Sequence, residues 1–409
     1  MLSKESAFNV RSKLILKNSS KRIDSGNIDY PYDLPILHKM SQELHSSLDL
    51  DKNDFMCLYK LREYLKKVQP SVDDPSPNYI RHLHQSDTGI SVDWYTAEQA
   101  KMLQEQPKPA EVYFDVTGSI VRNQESEKRI LYYALVLTDS KSGCTSPIFE
   151  SMGTNHDAAT IGSKLALWKS NLKLDTKKKL IKTIVVDFSF ALIHAICLGV
   201  LETDFIRYLE SSLKNEIAIK ICSSHLIKSW HNALCETSSP KSFIGALLDL
   251  FADVIEAETR ELYVERCAKL YLILKSSHVS PQMANTIRKL CSKKHSLPLE
   301  DEEPFLGIEL DESTSSKYKD VSIVIDIRNM VELIAIEMKR KASMRNPLFN
   351  EALAKRFLVR YCPFGKVISS FNAPRTTNAT VESYFKTLKH SVLGGKTNLK
   401  PSRFLHKIR

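Results

Sequence analysis

The chain lacks a C-x-x-C pair, an internal repeat and any apolar run near the ~20 residues that span a bilayer. Each absence removes a class of protein. Its eight cysteines, at positions 57, 144, 197, 222, 235, 267, 291 and 362, are scattered and suggest no disulfide framework. They read as reduced thiols of an intracellular chain. The opening stretch, MLSKESAFNVRSKLILKNSS, has no continuous apolar core of the kind a secretory signal needs. The expectation is a soluble intracellular protein without a membrane partner.

What is present sets the scale. At 409 residues and 43% hydrophobic content the chain exceeds one small domain and can fill a substantial core. A formal net charge of +10 suits a polyanionic partner and gives mild support for nucleic acid.

Residues 1–40 read as a flexible basic lead-in, and 41–108 as an N-terminal helical region. In the latter, DFMCLYKLREYLKKV places Phe55, Leu58, Leu61 and Leu65 at helix spacing, and Thr96 with Gln99 gives a capping box. The first part of the core follows over 109–239. EVYFDVTGSIV, KRILYYALVLTD and SPIFESMG predict three strands joined by short polar loops, an antiparallel meander. DAATIGSKLALWKSNL predicts a helix capped by Asp157. LIKTIVVDF is an almost wholly apolar run of the buried, central-strand type, and SFALIHAICLGVL a helix behind it that Ser189 can cap. EIAIKICSS is a fifth strand, with the helix HLIKSWHNALCE after it. Residues 240–370 read as an all-α insertion with an exposed acidic loop, and 371–409 as a C-terminal core helix.

Three antiparallel strands, a helix, then two strands alternating with helices is the order of a ribonuclease-H-like fold. The fold class expected is therefore α/β, a mixed sheet flanked by helices with an all-α insertion before the last core helix. In that topology the first and fourth of these strands are neighbours, so Asp115 and Asp187 come close although far apart in sequence.

Asp115 and Asp187 end apolar strand-type runs, and Glu382 lies in the first turn of an amphipathic helix. A lone aspartate at a strand end is usually a turn residue or a helix cap. A glutamate early in a helix is favoured by the dipole alone. Taken together in this topology, the three acids suit a pair of hard cations that activate water or a 3′-hydroxyl in phosphodiester transfer. Val381, Tyr384, Phe385 and Leu388 form the buried stripe of the last helix, and Glu382, Lys386 and Lys389 share an adjoining face. That face reads either as a solvated ladder or as a metal ligand with phosphate-binding cations. Cys222 and His225 are two ligands short of a structural zinc site, and His231 with Cys235 would complete four. A packed cysteine and a histidine bonded to backbone or phosphate outweigh zinc on sequence alone.

These blocks resemble the transposases of Mutator-like DNA transposons and their insect relatives. FDVTGSIV, VVDFSFALIHAI, CSSHLIKSW and TTNATVESYFKTLK are similar to the family's blocks in order and context, and ISVDWYTAEQ to a lead-in segment. The resemblance covers roughly residues 90–409. It implies an Asp-Asp-Glu catalytic triad at Asp115, Asp187 and Glu382, two Mg²⁺ or Mn²⁺ ions, and a C-x-x-H motif at Cys222 and His225. It further implies cleavage and joining of DNA in the nucleus by a homodimer. Arg375, Lys386 and Lys389 are candidate phosphate contacts by charge and position. Only Cys57 precedes the first block and the chain ends soon after Glu382, so no end-recognising zinc module is expected on either side. That leaves the helical regions to recognise transposon ends, or a shortened copy. The competing expectation is a domesticated, non-catalytic DNA- or chromatin-binding protein with the same fold. A related nuclease acting on RNA would share the site.

Overall fold

The computed structural model describes residues 51–67, 79–121, 129–172, 180–211, 217–237, 241–292, 318–365 and 377–408, apart from 52, 87–88, 119, 141, 319 and 398. The lead-in over 1–40 and most of the acidic loop lie outside the described residues.

The apolar runs become the middle of a seven-stranded mixed sheet flanked by helices. In chain order the elements begin with helix α1 (Asp54–Lys67), the hairpin β1 (Ile80–Ser86) and β2 (Gly89–Trp94), and helix α2 (Ala97–Gln104). The meander is β3 (Ala110–Thr117), β4 (Leu131–Thr138) and β5 (Thr145–Gly153). Next come α3 (Ala158–Asn171), β6 (Ile181–Val186), α4 (Phe190–Gly199), α5 (Phe205–Glu210), β7 (Ala218–Ile221) and α6 (Ser223–Glu236). Helices α7 (Lys241–Ile255) and α8 (Arg260–Lys275) lead to β8 (His278–Val279), α9 (Pro281–Ser292) and α10 (Ser322–Lys341). The last elements are β9 (Met344–Arg345), α11 (Glu351–Arg360), α12 (Ala379–Thr387) and α13 (Pro401–Ile408). No described helix is long and apolar enough to cross a membrane.

The sheet order is β1-β2-β5-β4-β3-β6-β7. Strands β3, β4 and β5 run antiparallel as a meander, whereas β6 pairs parallel with β3 and β7 parallel with β6. The sequence expectation that the strands of Asp115 and Asp187 are neighbours holds. The β1–β2 hairpin was not foreseen. It extends the sheet beyond β5, because β2 pairs antiparallel with that strand.

Side chains alternate across the sheet, and each face has its own core. Val112 and Phe114 of β3 join Tyr133 and Leu135 of β4 on the face covered by α3 and α4. Trp168 of α3 is seated there, its indole nitrogen donating to the Ile148 carbonyl at 3.2 Å. On the opposite face Tyr132, Ala134 and Val136 meet Val381, Phe385 and Leu388 of the last helical segment, together with Phe404 and Leu405 of α13. The caps expected at Thr96 and Asp157 are formed. Ser189 occupies the cap position of α4, but its hydroxyl makes no capping bond.

Helices α3 and α4 approach closely where two glycines meet. A Cβ on Gly199 would lie 2.2 Å from the carbonyl oxygen of Gly162 and 2.9 Å from Leu165 Cβ. The first obstacle is backbone and cannot rotate away. Gly199→Ala is expected to destabilise the fold by about 1–3 kcal/mol through overpacking, more than alanine's better helix propensity offsets. A lower Tm and unfolding midpoint would show it, and an unchanged Tm would contradict this close approach.

Candidate functional site

Register explains how two distant aspartates meet. Phe114 stands opposite Val186 in the parallel β3–β6 pair, so the next residues, Asp115 and Asp187, lie side by side. Both follow the alternation onto the face opposite α3, where α12 lies across β3, β4 and β5. Asp115 is buried and accepts a hydrogen bond from the Val116 amide at 2.7 Å. Behind Asp187 the corner into α4 is held by Phe188, fully buried, with its ring 5.4 Å from Tyr361. This aromatic backing comes from the helical region after α6 and fixes the loop that carries the carboxylate.

Strand β7 supplies the next two groups. Val186 pairs with Ile221, and the Cys222 amide donates to the Val186 carbonyl at 2.9 Å, so Cys222 sits beside Asp187 at the start of α6. One turn on, His225 Nδ1 lies 2.9 Å from Asp187 Oδ1 and 3.6 Å from Glu382 Oε1. The nearer contact is an ionic approach and not an aligned hydrogen bond, since Nδ1 is buried without a well-directed acceptor. Glu382 is half exposed at the mouth of the site.

Asn378 completes the arrangement, and sequence reasoning missed it. It is fully buried at the cap of α12, yet its side chain does not cap that helix. Its Nδ2 donates to Asp187 Oδ1 at 2.8 Å, and its backbone amide donates to Cys222 Sγ at 3.2 Å. One residue thus ties the last core helix to the ends of β6 and β7. The available signal was an asparagine in capping position just before Glu382.

A second anchor sets the rotation of α12. Buried Glu150 of β5 accepts from Tyr132 Oη at 2.5 Å and from Tyr384 Oη at 3.0 Å. Tyr384 lies about 200° around the helix from Glu382. Holding Tyr384 on Glu150 of β5 therefore leaves Glu382 on the other side of the helix, where it lies 3.6 Å from His225.

The electrostatics follow from a buried carboxylate, Asp115, in contact with a partly buried one, Asp187. Burial, reinforced by the charge of Asp187, pushes the Asp115 carboxyl well above the usual range. Burial acts on Asp187 in the same direction, but His225, Asp115 and Asn378 together hold it below its ordinary value. For His225, burial opposes the charged form, yet Asp187 and Cys222 raise its pKa to about 11. Burial also pushes the Cys222 thiol up, and the neighbouring imidazolium outweighs it, so the pKa is lowered.

Ligand atoms of Asp187, Cys222 and His225 all lie within 4.8 Å of one another, so these three residues form a cluster able to coordinate a metal. This corrects the expected cofactor. A pair of Mg²⁺ or Mn²⁺ ions requires oxygen ligands, whereas carboxylate, thiolate and imidazole together are a donor set that Zn²⁺ favours. Zinc, set aside on sequence alone, is the ion these residues fit. The wider cluster with His231 and Cys235 does not form. Those two pair with each other at 3.6 Å further along α6, His231 starting about 9 Å beyond His225 along the axis.

Lys386 is exposed and Lys389 half buried, both following Glu382 along the same segment. Arg375 lies outside the described residues.

A zinc-loaded preparation is expected to hold about one ion per chain by mass spectrometry of the metal. Cys222→Ser and His225→Ala should each weaken zinc binding by at least ~10–100-fold. Equal zinc content in both variants and the wild type would place the ion elsewhere. No family model matches this chain, and no curated protein matches it.

Proposed function

We propose that this chain is a transposon-derived, metal-dependent phosphodiester transferase of the Asp-Asp-Glu type, acting on DNA from a ribonuclease-H-like core. One observation carries the reading. Asp115 and Asp187 stand side by side at the ends of adjacent parallel strands, and Glu382, on a helix late in the chain, lies 3.6 Å from the His225 that faces Asp187. The strand order β5-β4-β3-β6-β7, antiparallel then parallel, supports the fold assignment. The resemblance to Mutator-like transposases supplies the substrate, and a DNA substrate gives the nucleus as the compartment.

Asp187 and His225 would hold the ion with Cys222, and Asn378 orients the Asp187 oxygen that faces them. A divalent ion held there supplies Lewis acidity towards a phosphodiester and lowers the pKa of an attacking hydroxyl. Asp115 stands beside Asp187, its carboxyl shifted upward by burial and by that neighbour's charge. Glu382 stands at the mouth, where substrate arrives first. Lys386 and Lys389 continue from it as cations for the flanking phosphates, and the +10 net charge favours the same partner.

The test is nicking of supercoiled duplex DNA across a panel of divalent ions, with Asp187→Asn alongside. Wild-type nicking that falls at least about a hundredfold in the variant is expected, because a direct ligand is lost. DNA binding driven by charge should persist in the variant. Equal cleavage by both proteins would indicate a contaminating nuclease. Retained binding with no cleavage by the wild type would favour the domesticated DNA-binding protein.

A further inference from the structure

On the face of the sheet opposite the carboxylates, a cavity of about 600 Å³ opens between the β1–β2 hairpin, the end of β5 and helix α3. Its wall contains Arg62, His82, His84, Asp93 and Lys164. Lys164 is 6% exposed, which is unusual for an ammonium. Its Nζ donates to Ser151 Oγ at 2.8 Å and lies 3.6 Å from Asp93 Oδ1. Gly153 provides room for it, since a Cβ there would stand 3.0 Å from Nζ.

Charge decides what the cavity suits. Asp93 is the sole carboxylate among these lining residues, and it already accepts from Ser151 Oγ at 2.7 Å while facing Lys164. Arg62 therefore adds a cation that no lining acid balances. Its Nη2 donates to the Arg81 carbonyl at 3.3 Å, and its Nε is buried without a hydrogen-bond partner among the described residues. His82 and His84 alternate along β1 and so share one face, His82 Nε2 pairing with Asn171 Nδ2 at 3.3 Å. A structural ion pair needs no space beside it. Here the pair borders a cavity of the size that holds small organic ligands.

We propose that this pocket binds a phosphate group, with Arg62 as its principal cation, His82 and His84 at its rim, and Lys164, already directed at Ser151, Asp93 and the Met152 carbonyl, in the wall behind. The phosphate belongs either to a small molecule or to a nucleic-acid backbone, and the two sources share the same recognition chemistry. The proposal is independent of the carboxylate site, which lies across the sheet.

Calorimetric titration of the full chain with inorganic phosphate, deoxyadenosine monophosphate and a short single-stranded oligodeoxynucleotide tests it. At least one probe is expected to bind, and Arg62→Gln to weaken that binding about tenfold or more. Lys164→Met should weaken it by removing the second positive charge of the wall. Binding of the mononucleotide but not the oligonucleotide would identify a small-molecule ligand, and oligonucleotide binding weakened by Arg62→Gln a backbone phosphate. Asp187→Asn should leave binding unchanged. Failure of all three probes, or wild-type affinity in Arg62→Gln, overturns the proposal whether or not Lys164→Met folds. Loss of binding in Asp187→Asn also overturns it, by moving the anion to the carboxylate site. Nicking activity can fail without affecting any of these results.

Discussion

Repulsion between two adjacent carboxylates, one buried and one partly buried, governs the architecture around it. The parallel register of β3 and β6 brings Asp115 against Asp187, which follows directly on the last paired residue of β6. Compensation has to be brought to them. His225 arrives from the start of α6 and Asn378 from the start of α12. Each compensating group is delivered by a different element. Packing of the last core helix against the sheet is thereby coupled to the charge balance of the strands beneath it.

The sheet separates two chemistries, and β5 serves both. Glu150 points to one face and holds Tyr132 and Tyr384, which orients the helix carrying Glu382. Its neighbour Ser151 points to the other, between Asp93 and Lys164. Consecutive residues of a strand face opposite ways, so one strand can organise two polar networks without either disturbing the other. Both networks are buried and hydrogen-bonded, the condition under which buried polar groups are tolerated.

What the sequence revealed, and what it concealed, follows from range. Apolar runs located β3, β4 and β6, and local capping chemistry located α2 and α3, because both signals lie within a few residues. The placement of Asp115 beside Asp187 was legible once the strand order was assumed. The β1 strand, IRHLHQS, was not, since two histidines and a glutamine obscure its alternation. Asn378 resembled an ordinary helix cap until its amide was seen on Asp187. The identity of the metal was hidden for a related reason. Cys222 joins Asp187 only through the β6–β7 pairing, which no spacing in the sequence encodes.

The face holding the carboxylates is covered by helices drawn from distant parts of the sequence. Leu58 and Leu65 of α1 share a core with Phe404 and Leu405 of α13, and the Tyr79 hydroxyl donates to the Leu405 carbonyl at 3.1 Å. During vectorial synthesis the strands emerge long before α12 and α13 can cover them. Until then the apolar rows of β4 stand open on that side, and Asp187 lacks its asparagine partner. Completion of this face therefore comes late in the folding order, after every strand of the sheet has been made.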